Sequence, residues 1–161
     1  MVNKKYSGAI VLGLNDALVE MTGALAGLTF ALKDPKIIAL TGLITGLAAS
    51  LSMAASEYFA VREDFGEKAK RSSLKKAFYT GTTYIIAVMI LITPYIILNK
   101  VYISFVITLF LAVFLIAIYT TYISREKRTS PWKQFIKMTL ITLTVAAISF
   151  SVGVLLKEFI F

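Results

Sequence analysis

No cysteine and no histidine occur among the 161 residues, and proline appears only three times. Without thiol or imidazole the chain can form no disulfide, no Cys- or His-based zinc site and no histidine-ligated haem. A histidine proton shuttle is excluded as well. Any metal site must draw on carboxylate, amide, hydroxyl, carbonyl or thioether groups. No nucleophile–base pair is recognisable, so the chain is read as a non-enzyme. Acids are scarce: nine Asp and Glu stand against seventeen Lys and Arg, a net charge of +8. What the chain has in quantity is apolar surface. Hydrophobic residues make up 58%, above the roughly 45–50% of soluble domains, and the mean hydropathy is +0.79.

A spanning helix needs about 20 mostly apolar residues. Five stretches meet that need: 8–32, 37–61, 78–98, 101–123 and 135–156. They occupy most of the chain, so the expected fold is an all-α integral membrane protein, one membrane domain over residues 1–161. The first stretch is too long for the core of a signal peptide, contains acids and lacks a convincing cleavage site, so it is read as a retained helix. Punctuation agrees with the spans. Asp34-Pro35 breaks the first pair, Asn99-Lys100 makes a short turn, and Ser130-Pro131 reads as a cap followed by proline at the first helical position. Trp132 suits a headgroup level.

The positive charge is distributed unevenly. Five spans put the N-terminus, a basic loop 62–77 and the loop near 124–134 on one side. That side collects Lys4, Lys5, Arg62, Lys68, Lys70, Arg71, Lys75, Lys76, Arg125, Lys127, Arg128, Lys133 and Lys137; the other has Lys33, Lys36, Lys100 and Lys157. Basic residues favour the cytoplasmic side. The expected topology is N-terminus cytoplasmic and C-terminus outside. The basic segments are explained by orientation and anionic lipid, which leaves no role for nucleic acid.

Six of the nine acids lie in loops or near helix ends. Asp16, Glu20 and Glu57 fall inside apolar stretches, where an ionisable group is costly and marks a functional hypothesis. At about 100° per residue, Ala9, Gly13, Asp16, Glu20, Gly23 and Gly27 share one face of span one. Gly42, Gly46, Ala49, Met53, Glu57 and Ala60 share one face of span two. Gly23/Gly27 and Gly42/Gly46 are GxxxG pairs, which let helix backbones approach. The expectation is a helix–helix interface lined by carboxylates and a thioether, with a second copy of the chain needed to cover the Gly13, Gly23, Gly27 stripe. Bland readings exist for each part. GxxxG alone signals packing, Met53 alone is a core filler, and Glu57 can snorkel to headgroups. Two acids at i, i+4 are harder to explain by packing, because their repulsion in a low dielectric calls for a cation or proton between them.

The run Gly13-Leu14-Asn15-Asp16-Ala17-Leu18-Val19-Glu20 resembles the first-helix signature of the vacuolar iron transporter family. The run from Gly46 to Tyr58, containing Ser50, Met53, Ser56 and Glu57, resembles its second-helix signature, in the form found in prokaryotic members. The resemblance implies a homodimer through spans one and two, with a pathway lined by the first helices. It also implies export of Fe²⁺, and of Mn²⁺ and related ions, from the cytoplasm in exchange for protons, with no permanent cofactor. Asp16 and Met53 match the family's aspartate and methionine. Asn15, Gly13 and Gly46 fall in the same motifs, while Gly23, Gly27 and Gly42 belong to the small-residue faces that flank them. The expected location is a prokaryotic cell membrane, or a vacuolar membrane in a eukaryote. Two departures stand out. The connection after span two is too short for the cytoplasmic metal-binding domain of other members. Thr45 occupies the place where plant-type members carry an acid.

Two other functions compete. Proton-coupled efflux of organic cations would use a membrane-embedded Glu and requires aromatic residues around it; spans one and two offer only Phe30, Tyr58 and Phe59. A non-transporting adaptor would use the small-residue faces alone and leaves Asp16 and Glu20 unexplained.

Overall fold

A computed structural model describes residues 6–66, 69–127 and 129–160. It has five helices: α1 (Ser7–Ala31), α2 (Pro35–Phe65), α3 (Lys70–Ile97), α4 (Val101–Lys127) and α5 (Pro131–Ile160). All five are long and apolar enough to cross a membrane. No strand occurs among the described residues. The all-α architecture with five spans is therefore as expected from hydropathy.

The ends of the helices follow from local chemistry. Asp34 caps α2, its Oδ1 accepting from the backbone N–H of Lys36 at 2.8 Å and of Ile37 at 3.4 Å. Pro35 occupies the first helical position, where its missing N–H costs nothing. Gly66 ends α2 with φ of 65°, a left-handed conformation that favours glycine. One expectation is corrected here. The basic stretch 62–77, read from sequence as a loop, is mostly helix: α2 runs on to Phe65 and α3 begins at Lys70. Charged residues ended the hydrophobic run without ending the helix, because Arg, Lys and Glu are good helix formers outside the bilayer. Lys4, Lys5, Lys68 and Arg128 lie outside the described residues.

α1 is the central element. It touches all four other helices, and half of its spanning window is buried, against 17% for α5. α1, α3 and α5 run parallel. Gly13 meets Thr80 near one end of α1, and Thr29 meets Tyr95 near the other. Gly23 packs on Val145 and Ser149, and Gly27 on Ser149 and Gly153. α2 runs antiparallel to α3, with Gly42 on Ile92, Gly46 on Val88, and Gly81 on Ser50 and Ala54.

Polar side chains tie these apolar helices together, since lipid offers no hydrophobic drive between them. Thr80 donates to the carbonyl of Ala9 at 3.1 Å, and Thr108 to that of Leu91 at 2.9 Å. Thr29 donates to the carbonyl of Leu25, so Tyr95 supplies the proton of the 2.6 Å bond between their hydroxyls. The core is built from Leu18, Met21, Leu25, Ile38, Tyr84, Val88, Leu91, Ile92 and Ile116, all fully buried.

The main packing pairs are α2 with α3 and α1 with α5; α4 joins α3 to α5. α2 therefore lies against α1 and α3, α5 lies against α1 and α4, and the bundle is left open between α2 and α5.

Candidate functional site

The small-residue stripe of α1 is shared among neighbours rather than matched to α2. A Cβ at Gly13 would collide with the backbone carbonyl of Thr80 on α3. A Cβ at Gly23 would lie 2.8 Å from Val145 Cγ1, and one at Gly27 2.9 Å from the Ser149 carbonyl. Gly153 in turn has no room for a side chain against the Gly27 carbonyl. Gly42 rests on Ile92, Leu25 and Met21, and Gly46 on Val88. The expected face-to-face contact of the two glycine pairs is thus replaced by two others. α5 takes the α1 glycines, and α3 takes most of the α2 face. Both partners lie within the chain, where Ser149 and Gly153 supply small residues of their own. Periodicity located the close-packing faces but could not say which helix fills them.

Between those close contacts the stripe opens. Asp16 is half-buried and Glu20 is exposed, which puts Glu20 on the side left open between α2 and α5. The two carboxyls, one turn apart, are near enough to interact electrostatically. Glu20 has a partner that sequence reasoning missed. The hydroxyl of Tyr84, a fully buried residue of α3, donates to Glu20 Oε2 at 2.7 Å. Tyr84 also lies within electrostatic range of Asp16. Thr80, Thr82 and Thr83 make the surrounding stretch polar, but nothing local in the sequence ties Tyr84 to Glu20, 64 residues away.

The other expected site residues fall in three places. Met53 is half-buried at the edge of the hydrophobic core. It stands near the level of Gly13, about one turn from Asp16, because Gly13 is tied to Thr80 and the neighbouring Gly81 to Ser50 and Ala54. Glu57 is half-buried one turn beyond Met53, where Lys76 Nζ of α3 stands 4.0 Å from its Oε1. Asn15 faces inward. Its Oδ1 is buried without a hydrogen-bond partner, and Tyr119 of α4 lies beside it. Asn15 therefore belongs to the protein interior and not to the open face that carries Glu20. Among the described residues no three acidic side chains converge to hold a metal ion. One chain brings together Asp16, Glu20 and Tyr84, and leaves Glu57 apart with its lysine.

A helical pair that places two acids one turn apart on α1 and a methionine on α2 about one turn from the first of them can be compared with known sequences. Residues 7–66 match the model of the VIT family. The match covers α1, α2 and the turn between them, and so contains Asp16, Glu20, Met53 and Glu57. The VIT match points to a membrane metal-ion transporter. α3, α4 and α5 lie beyond it, Tyr84 included. The short α2–α3 connection leaves no room for a larger cytoplasmic domain. No curated protein matches the chain.

Proposed function

We propose that this protein exports divalent metal ions, Fe²⁺ and Mn²⁺ foremost, from the cytoplasm in exchange for protons, and that it works as a homodimer. The observation that carries the reading is the position of Glu20: exposed on the single chain, in the middle of a spanning helix, one turn from Asp16. Hydrocarbon cannot solvate a carboxylate. A second copy placed against the open side between α2 and α5 covers Glu20 and brings a second Asp16–Glu20 pair to the same cavity. The convergence of acids that one chain lacks is then supplied by two.

The chemistry of the lining suits the cargo. Carboxylate oxygens bind Fe²⁺ and Mn²⁺, and the thioether of Met53 adds preference for these softer ions over Mg²⁺ and Ca²⁺. Metal and proton compete for the same carboxylates, because a carboxylate must lose its proton to ligate. A site open alternately to each side then exchanges one for the other. Tyr84 holds one oxygen of Glu20 and leaves the second free for a ligand. Asp16 lacks that bond and keeps both oxygens for a ligand. The protein would act in a cell membrane, with no permanent cofactor and no reaction of its own.

Tyr84 also gives the organic-cation reading one point in its favour, since it places an aromatic residue at the acid. It meets Glu20 through its hydroxyl, however, and offers no open ring face for a cation. Proteoliposomes with an imposed pH gradient separate the two. Uptake of Fe²⁺ or Mn²⁺ with opposite proton movement supports metal export, and uptake of an organic cation without metal refutes it. Metal flux indifferent to the gradient refutes the exchange.

A further inference from the structure

The end of the bundle that holds the α1–α2 and α3–α4 turns is poor in basic residues, with Lys33, Lys36, Lys100 and Lys157 alone. Three of the four gather around one pocket. Lys33 comes from the turn after α1, Lys100 from the residue before α4, and Lys157 from the last turn of α5. Scattered charges would serve orientation equally well, so the convergence of three separate elements asks for another cause. The pocket, about 480 Å³, has an apolar floor that includes Phe30, Val101, Tyr102 and Ile103. None of the three ammonium groups is paired with a carboxylate among the described residues. The acids nearby are Asp34, whose side chain is engaged in capping α2, and Glu158, which lines the adjoining cavity with Lys33 and Lys157.

We propose that this pocket binds the phosphodiester headgroup of an anionic phospholipid, with one acyl chain lying over the apolar floor. Three ammonium groups supply up to nine donors and a net positive field to a phosphate. The floor decides between lipid and soluble anion. Tyr102 and Ile103 are 61% and 47% exposed at the start of α4, where a spanning helix meets the membrane boundary. A free phosphate would leave them bare, whereas a phospholipid covers them while its headgroup reaches the lysines. Phe30 and Tyr102 of that floor have ring centroids 5.5 Å apart, and Phe30 is backed by Phe105 and Phe150 at 6.2 and 4.0 Å. The proposal does not depend on the transported ion or on which side of the membrane this end faces.

Native mass spectrometry of the full chain, released from phosphatidylcholine nanodiscs and titrated with phosphatidylglycerol or further phosphatidylcholine, tests it. Wild-type protein should retain phosphatidylglycerol in preference. Each basic residue near a membrane surface contributes roughly a fivefold factor, so Lys33→Gln, Lys100→Gln and Lys157→Gln combined should lower the preference about a hundredfold. Lys36→Gln, at the same end but outside the pocket, should leave it unchanged. The triple Lys→Arg variant should bind as wild type, which separates lost charge from lost folding. Equal retention of the two lipids by wild-type protein would overturn the proposal, as would an undiminished preference in the triple Gln variant. Displacement of phosphatidylglycerol by excess inorganic phosphate at constant ionic strength would show a free-anion site and overturn the assignment to lipid.

Discussion

Asp16 and Glu20 differ in their surroundings although they sit on one helix face. Glu20 is held by the Tyr84 hydroxyl and stands at the open side; Asp16 is half-buried and free of such a bond. Asp16→Asn keeps the shape and removes the charge, so radiotracer uptake of metal should fall to background while helical content by circular dichroism stays unchanged. Wild-type uptake by this variant would remove Asp16 from the site. Met53→Leu keeps volume and removes the thioether. It should narrow the preference for Fe²⁺ over Mg²⁺ in competition uptake while barely altering the thermal midpoint, since such a swap costs under about 1.5 kcal/mol. Tyr84→Phe retains the buried ring and deletes one hydrogen bond to an acid, a loss of about 1.5–3 kcal/mol when the acceptor is charged. Uptake should slow measurably with the fold intact. An unchanged rate would mean that the bond is incidental to transport.

At the scale of helices, the glycines make the sharpest test of the packing. Gly13 abuts a backbone carbonyl of α3, and Gly27 and Gly153 abut each other across α1 and α5. Backbone cannot retreat as a flexible side chain can, so Gly153→Leu should destabilise the single chain by about 1–3 kcal/mol or more. Thermal unfolding in detergent should show it at any protein concentration. Gly23→Leu should act likewise through Val145 and Ser149, instead of dissociating a dimer as its place in a GxxxG pair suggests by itself. A concentration-dependent midpoint in that variant would restore the intermolecular reading. The same contacts show what the sequence could and could not reveal. Hydropathy located all five helices, because burial in lipid demands long apolar runs. It also located the small-residue faces, because close approach demands glycine and alanine at helical spacing. It did not pair the faces, since Ser149 and Gly153 look as suitable as Gly42 and Gly46 and nothing local distinguishes them. It placed helix ends too early at 62–77, where apolarity stops but helix propensity does not. Within the site, the acids were legible because charge is rare in a span. Tyr84 was not, because tyrosine is ordinary there and its role depends on a neighbour 64 residues away.

For the whole molecule, alternating helix direction gathers nine of the described Lys and Arg at one end and four at the other. A phosphatase reporter fused after Phe161 should therefore be active, since basic residues favour the cytoplasmic side and predict the other end outside it; an inactive fusion with an active cytoplasmic reporter would invert the topology. The proposed dimer rests on what one chain leaves uncovered. Along α2, Thr45, Ala48, Ser52 and Ala55 are all exposed and lie on one helical face. This face adjoins the open side of α1 that carries Glu20. Small residues allow another helix to approach closely, and van der Waals packing of that kind is what drives association in lipid. A lipid-facing helix has no need of such a face: α4 exposes Ile103, Phe110, Phe114 and Ile118, whereas α5 exposes a smaller set of its own, Thr144, Ala147 and Ser151. Two copies joined along α2 would enclose the Asp16–Glu20 pairs from both. The chain contains no cysteine, so an introduced thiol reports on itself alone. Ser52→Cys should give a disulfide-linked dimer in native membranes under mild oxidation, because equivalent positions near a two-fold axis come within disulfide reach. Ile118→Cys, on the α4 surface, should remain monomeric under the same treatment. Equal cross-linking at both positions would reflect random collision in the bilayer, and none at Ser52 would place the second copy elsewhere or remove it.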